Sequence, residues 1–448
     1  MLNVTLSAIA EFERKIASRE TCIGIVGMGY VGLPLALMFS EERFPVIGFD
    51  IDVNKVATLN DGSSYIARIH PSDIKKAQKN GFIAASDYSQ VGEVDVIIIC
   101  VPTPLNDHHE PDLSYITNTV SSIAPYLKEG QLVVLESTTY PGTTEEVVVP
   151  LLERGSAHGL RMATGTDTPG FFVAFSPERE DPGNDSVDRR DIPKIVGGCG
   201  SVAADMASSV YGTIFNRTIQ LSSPAAAEMT KLLENIYRCV NIALVNELKQ
   251  LCMRMNIDIF EVIDAAQTKP FGFQAFYPGP GLGGHCIPID PFYLSWKAKE
   301  FDFRTRFIEL AGEVNLAMPY FVVENVIKAL NRRGQALNGA RVLILGMAYK
   351  RDIDDLRESP SLAIIELLKK HGALVEYNDP FFQTVGHGRK YALNMTCVPL
   401  EQIPEYDCVV IVTDHSVYDY RSIVQQAKLV VDTRNATKGL NAPNVVRC

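Results

Sequence analysis

At 448 residues the chain is too long for one compact core, and a span of about 150 residues per domain predicts two or three domains. Its 53 acidic against 42 basic residues leave a net charge of -11, which argues against a nucleic-acid or anionic-membrane surface as the main partner. An anionic substrate would then need a local basic pocket. Nine cysteines, at 22, 100, 199, 239, 252, 286, 397, 408 and 448, show no C-x-x-C spacing, so neither a metal site nor a disulfide framework is expected. Reduced thiols in a cytoplasmic protein fit that usage. The first residues lack the basic region and apolar run of a signal peptide, and no apolar run reaches the ~18 residues of a membrane helix. A soluble chain is expected.

Residues 1 to 19 read as an extra amphipathic helix, taken as a packing extension. TCIGIVG at 21 to 27, a helix over 33 to 42 and PVIGFD at 45 to 50 then give strand, helix, strand. VDVIIICV at 94 to 101 and QLVVLE at 131 to 136 are unalternating, as in parallel strands buried on both faces. Residues 20 to about 200 therefore read as a doubly wound sheet. From Pro224 some thirty residues of helical propensity follow without a glycine, long enough to span two domains. Residues 270 to 292 are too rich in glycine and proline for regular structure and read as an elaborate functional loop. After Gly339 a second alternation begins: RVLILG at 341 to 346, a helix over 359 to 371, then ALVEYND, CVVIVTD and KLVVDT at 373 to 379, 408 to 414 and 428 to 433. The fold class is α/β, with two Rossmann-like doubly wound parallel-sheet domains joined by a long central helix. The expected division is an extension over 1–20, a doubly wound domain over 21–215, a helical domain over 216–325 that holds the irregular loop, and a second Rossmann-like domain over 326–448.

Gly27-Met28-Gly29-Tyr30-Val31-Gly32 follows a predicted strand and opens a helix, and Asp50 ends the next strand. Gly27 permits the tight turn, Gly29 lets a pyrophosphate approach the backbone, and Gly32 allows close helix packing at an N-terminus that offers amides to anionic oxygens. Asp50 would accept hydrogen bonds from an adenosine ribose and repel a ribose phosphate, so the cofactor read here is NAD rather than NADP. Cys286 lies in GLGGHCIPID, where glycines allow close approach to a ligand, with Asp290 four residues on. The other eight cysteines read as small core residues, and His285 is given no role. Glu228, Lys231 and Asn235 share one face of the long helix. Glu136-Ser137-Thr138-Thr139 ends a predicted strand, where ligand crevices form, and Glu178 of PEREDPG is placed there too.

With those residues assembled, the chain from about residue 21 to its end resembles the UDP-glucose/GDP-mannose dehydrogenase family. The motifs occur in order: GMGYVGLPLA at 27 to 36, VPTP at 101 to 104, STTYPGT at 137 to 143, SPEREDPG at 176 to 183, EMTKLLEN at 228 to 235, GPGLGGHCIPIDP at 279 to 291 and LGMAYKRDIDDLRESP at 345 to 360. The resemblance implies an NAD domain, a helical linker that makes a homodimer interface, and a C-terminal domain contributing to a nucleotide-sugar site. By position, Cys286 looks like the family nucleophile, with Lys231, Asn235 and Asp290 as its supporting polar residues and Thr138 and Glu178 organising a catalytic water. Tyr30, Val31, Lys55, Pro102, Thr103, Thr138 and Arg357 fall on its cofactor positions. Glu178, Lys231, Asn235, Tyr277, Gly283 and Lys350 fall on substrate positions. Some members carry a further glutamate where this chain has Pro182, so Glu180 or Asp181 would have to substitute. The implied chemistry is a four-electron oxidation of a sugar CH2OH through a thioester, without metal. The motifs look most like members that oxidise UDP-N-acetylglucosamine for surface polysaccharides, with UDP-N-acetylmannosamine and UDP-glucose as alternatives. An inactive NAD or UDP-sugar sensor would be expected to lack Cys286 or Lys231, and both are present.

Overall fold

The structure is a computed structural model that describes residues 2–66, 68–106, 110–165, 168–179, 187–284, 287–387 and 392–448. It divides into two compact units, Met1–Glu234 with Trp296–Asp302, and Asn235–Ser295 with Phe303–Cys448.

The first unit is built on eight strands: β1 (Ile23–Val26), β2 (Val46–Phe49), β3 (Phe82–Ala85), β4 (Val96–Ile99), β5 (Leu132–Leu135), β6 (Phe172–Phe175), β7 (Lys194–Gly198) and β8 (Thr218–Leu221). Their order is β3-β2-β1-β4-β5-β6-β7-β8, and β1 to β6 are parallel. The first six follow the strand order of dinucleotide-binding sheets, which reverses between β1 and β4. Successive residues of the central strands feed two separate cores. Ile98, Val134 and Ala174 join one, and Ile99, Leu135 and Phe175 the other. That is why those segments read as unbroken apolar runs. The sheet also departs from the expectation of parallel strands, because β7 pairs antiparallel with β6 and β8 then runs with β7. β8 is half exposed at the edge and β3 places Ile83 outward, so neither carries a continuous apolar signal. The helix Leu2–Ser18 buries Phe12 and Ile16 in the first core, and Lys15 Nζ reaches Asp95 Oδ1 at 2.7 Å, in keeping with a packing role.

The long helix runs Pro224–Met255. In the second unit, β9 (Arg341–Leu345), β10 (Leu374–Asn378), β13 (Cys408–Ile411), β14 (Val430–Asp432) and β15 (Val445–Arg447) form a parallel sheet of order β10-β9-β13-β14-β15. An antiparallel pair, β11 (Thr384–His387) and β12 (Ala392–Thr396), forms a separate two-stranded sheet that packs Val385 and Leu393 into the same core. This unit also holds the helix Arg306–Asn331 and the first six residues of the helix Asp290–Ala298. The irregular stretch expected over 270 to 292 thus ends earlier, because Asp290 already begins a helix. Among the described residues no helix is long and apolar enough to cross a membrane.

Candidate active site

In the first unit every candidate loop leaves the carboxyl edge of the parallel strands. Gly27 follows β1 with φ +97°, and a Cβ on it would stand 2.7 Å from the Cys100 carbonyl oxygen at the end of β4. A Cβ on Gly32 would stand 2.0 Å from the Gly27 carbonyl oxygen, whereas one on Gly29 would meet nothing within 4 Å. The turn is therefore closed by packing at both ends and open in its middle. Val31 precedes the helix Gly32–Glu41 and offers no side-chain cap to its first amides. Asp50 follows β2; its Oδ2 accepts from Met28 N at 3.0 Å and its Oδ1 from Asp52 N at 2.9 Å, with Lys55 Nζ at 3.5 Å. A carboxylate has lone pairs to spare beyond these, so ribose hydroxyls can still be accepted. An open cradle at Gly29, an uncapped helix start and an acidic residue beyond β2 fit a dinucleotide. Tyr30 is exposed under the Arg68 guanidinium, 5.7 Å from its ring, Pro102 is exposed, and Thr103 is buried.

Beyond β5 and β6 the loops are pinned from the long helix. Glu228 is buried and accepts from Gly142 N, Thr144 N and Thr144 Oγ1 at 2.6, 2.9 and 2.7 Å. It therefore anchors the STTYPGT loop that carries the half-buried Thr138, which gives the shared helix face of Glu228 and Lys231 a purpose. Lys231 Nζ donates to the Glu178 carbonyl, and the Arg179 guanidinium pairs with Glu234. Glu178 Oε1 takes the amide of Arg179 at 3.0 Å. Sequence reasoning missed the group behind Glu178, Lys194. Its signal was a lone charge opening the otherwise apolar strand KIVGG. Burial acts to lower the Lys194 pKa, but the carboxylates of Glu136 and Glu178 outweigh it and hold the ammonium above the usual lysine range. Burial likewise pushes the Cys100 thiol well up, which keeps it protonated beside Glu136.

In the second unit Asn235 is 0% and Asp290 1% exposed, and the Asn235 amide donates to Asp290 Oδ2 while its oxygen accepts from Arg238. Asp290 is thus tied to the long helix, and with it the end of the cysteine loop. Cys286 and His285 themselves, like Glu180, Asp181 and Pro182, lie outside the described residues. Gly284 has φ +83° and donates to the Arg357 carbonyl at 2.8 Å; a Cβ on Gly283 would stand 2.4 Å from Tyr349 Cβ, so packing alone explains a glycine there. Tyr277 OH donates to Asp264 at 2.7 Å, the exposed Arg357 pairs with Asp355, and Lys350 is half-buried after β9. Asp379, after β10, accepts from Met347 N and Ala348 N, as Asp50 does from Met28 N, but its Oδ2 also meets His415 Nε2 at 3.1 Å. Among the described residues no group of His, Cys, Asp and Glu is arranged to hold a metal ion.

The chain matches the UDP-glucose/GDP-mannose dehydrogenase family over three models in order: the NAD binding domain at residues 21–215, the central domain at 225–317 and the UDP binding domain at 343–439. It is 35% identical over 399 residues to a UDP-N-acetyl-D-glucosamine 6-dehydrogenase of Pseudomonas aeruginosa, covering 89% of this chain and 91% of that one. It is also 35% identical over 426 residues to a UDP-N-acetyl-D-mannosamine dehydrogenase of Pyrococcus horikoshii, covering 93% and 96%. The solved structure of a UDP-D-ManNAc dehydrogenase from Pyrococcus horikoshii superposes with a TM-score of 0.83 at 32% identity, covering 95% of this chain and 98% of that one. A turn fitted to a dinucleotide, followed in one chain by all three domain models, shows that this protein belongs to the UDP-glucose/GDP-mannose dehydrogenase family and uses NAD.

Proposed function

We propose that this enzyme oxidises the carbon-6 hydroxymethyl of UDP-N-acetylglucosamine to a carboxylate through a thioester on Cys286. The observation that carries the reading is the buried pair Asn235–Asp290, which ties the segment four residues after Cys286 to the helix that also bears Lys231. Bound NAD would supply the hydride acceptor for each of the two oxidations, two per sugar. Gly27, Gly29 and Gly32, with Tyr30 and Val31, would receive its pyrophosphate, Asp50 and Lys55 its adenosine end, with Pro102, Thr103, Thr138 and Arg357 as its further candidate contacts. Tyr277, Gly283 and Lys350 serve the nucleotide sugar.

The Cys286 thiolate adds to the aldehyde carbon left by the first oxidation, and the second oxidation leaves that carbon as a thioester. Lys231 and Asn235 stabilise the oxyanion at that carbon by charge and hydrogen bonding. Glu178, with Thr138 orienting the water, takes the water proton, while Asp290 holds Asn235 and the cysteine loop. The sulfur leaves as thiolate, and the carboxylic acid so formed loses its remaining proton to solvent to give the carboxylate. UDP-N-acetylmannosamine is the second reading, because relatives named for each sugar match at the same identity. A homodimer is proposed through the long helix, on which Leu233, Tyr237, Leu244, Leu248, Leu251 and Met255 are exposed at spacings that put them on one face.

The test is NADH yield from limiting sugar, with UDP-N-acetylglucosamine, UDP-N-acetylmannosamine and UDP-glucose run side by side on wild type and Cys286→Ser. Two NADH per UDP-N-acetylglucosamine, collapsing in the variant, is expected. Two from another sugar replaces the substrate and keeps the mechanism; one NADH, or an unimpaired variant, removes Cys286 as nucleophile.

A further inference from the structure

Because β7 runs opposite to β6, its first residue comes to the edge where β5 and β6 end. That residue, Lys194, is 3% exposed, with its ammonium 2.9 Å from Glu136 Oε1 and 3.5 Å from Glu178 Oε2. The rings of Tyr211 and Phe215 lie 4.9 and 5.3 Å from the same nitrogen. Tyr211 OH donates to Glu136 Oε1 at 2.5 Å, and Cys100 Sγ lies 3.8 Å from Glu136 Oε2. Glu136 is thus fixed from three sides, and it fixes the ammonium in turn. An ammonium survives at this depth only when paired, and Glu136 alone would balance its charge. The second carboxylate, on the more exposed Glu178, is therefore the one whose aim the cation can set. Lys231 grips the Glu178 main chain, so among the described residues Lys194 is the cation paired with that carboxylate.

We propose that Lys194 is a positioning residue for Glu178: the buried Glu136–Lys194 pair holds the Glu178 carboxylate in the orientation that thioester hydrolysis needs. This rests on the reading of Glu178 as the group that takes the water proton. In that step a water O–H bond breaks and its proton goes to Glu178. The oxygen bonds to the thioester carbon, and the C–S bond breaks with its electron pair on the Cys286 sulfur. No oxidant is consumed, so losing Lys194 slows release of the acid and spares the two oxidations before it.

The experiment compares full-length wild type, Lys194→Met, Lys194→Arg and Glu178→Gln, using whichever acetamido UDP-sugar the wild type oxidises. The readouts are the rapid NADH burst and the intact mass of acid-quenched protein. For Lys194→Met the expected result is a preserved burst of two NADH per site, steady turnover lower by roughly ten- to a hundredfold, and an acyl adduct on Cys286, with Arg restoring most of the rate. A Met variant slowed equally in burst and turnover, or one with no adduct, or an Arg variant no better than Met, overturns the proposal. If Glu178→Gln accumulates adduct while Lys194→Met does not, the reading of Glu178 stands and that of Lys194 falls. If Glu178→Gln turns over like wild type, both fall. Should Lys194→Met not fold, the double variant Glu136→Gln/Lys194→Met removes both buried charges, and it must show the same adduct.

Discussion

Replacing Gly29 and Gly32 separately by alanine separates cofactor binding from folding. At Gly32 the new Cβ stands 2.0 Å from the Gly27 carbonyl oxygen. Ordinary carbon–oxygen contact is about 3.3 Å or more, so backbone must part from backbone by over an ångström. With no flexible side chain to give way, the cost lies at the upper end of overpacking penalties, about 3 kcal/mol. For a unit of this size that lowers Tm by roughly 6–12 °C. At Gly29 the Cβ meets nothing within 4 Å, so stability should change by less than about 0.5 kcal/mol. The methyl would, however, stand where the pyrophosphate must approach. A loss of about 2 kcal/mol there raises the Kd for NAD roughly thirtyfold. Gly27→Ala combines φ +97° with a 2.7 Å approach to the Cys100 carbonyl, so it should behave as Gly32→Ala does. Thermal melts and NADH fluorescence titrations measure the two quantities independently. A Gly29→Ala protein that melts as low as Gly32→Ala, or binds NAD within twofold of wild type, refutes the assignment of an open cradle to Gly29.

Limited iodoacetamide at neutral pH should inactivate the enzyme through an adduct on Cys286 and spare Cys22, Cys239, Cys448 and Cys199, because burial pushes the first three up to about 11 and Cys199 up to about 12. Peptide mapping checks this, and a first adduct on any of those four contradicts it. Glu228→Ala strips three hydrogen bonds from the loop at 142 to 144 and should cost about 2–4 kcal/mol in urea unfolding, since two buried amides lose their acceptor. A change within experimental error would show that the loop holds itself. Leu248→Glu, on the exposed face of the long helix, should shift the protein to monomer in light scattering with its melting profile retained. A variant with the wild-type mass would place the interface elsewhere.

Much of this molecule was readable from local sequence. Parallel strands covered on both faces must be apolar at every position, so β1, β4 and β5 declared themselves, and the glycine turn and Asp50 followed at fixed offsets. The long helix was legible from thirty residues without a glycine. The start of the helix at Asp290 was not, because glycine and proline crowd the residues just before it. Nor was the reversal at β7, since the apolar content of IVGG is the same for either strand direction.

Residue types and spacing alone thus determined the fold class, the cofactor turn and the set of polar candidates. Only the tertiary structure decided which of them meet. Asn235 and Asp290 are 55 positions apart, Glu136 and Tyr211 75, and Glu228 reaches the loop at 142 to 144 across more than 80. A side chain's local pattern records whether it is buried, through the hydrophobic effect. Its partner is set by strand order and direction, which no short window of sequence contains.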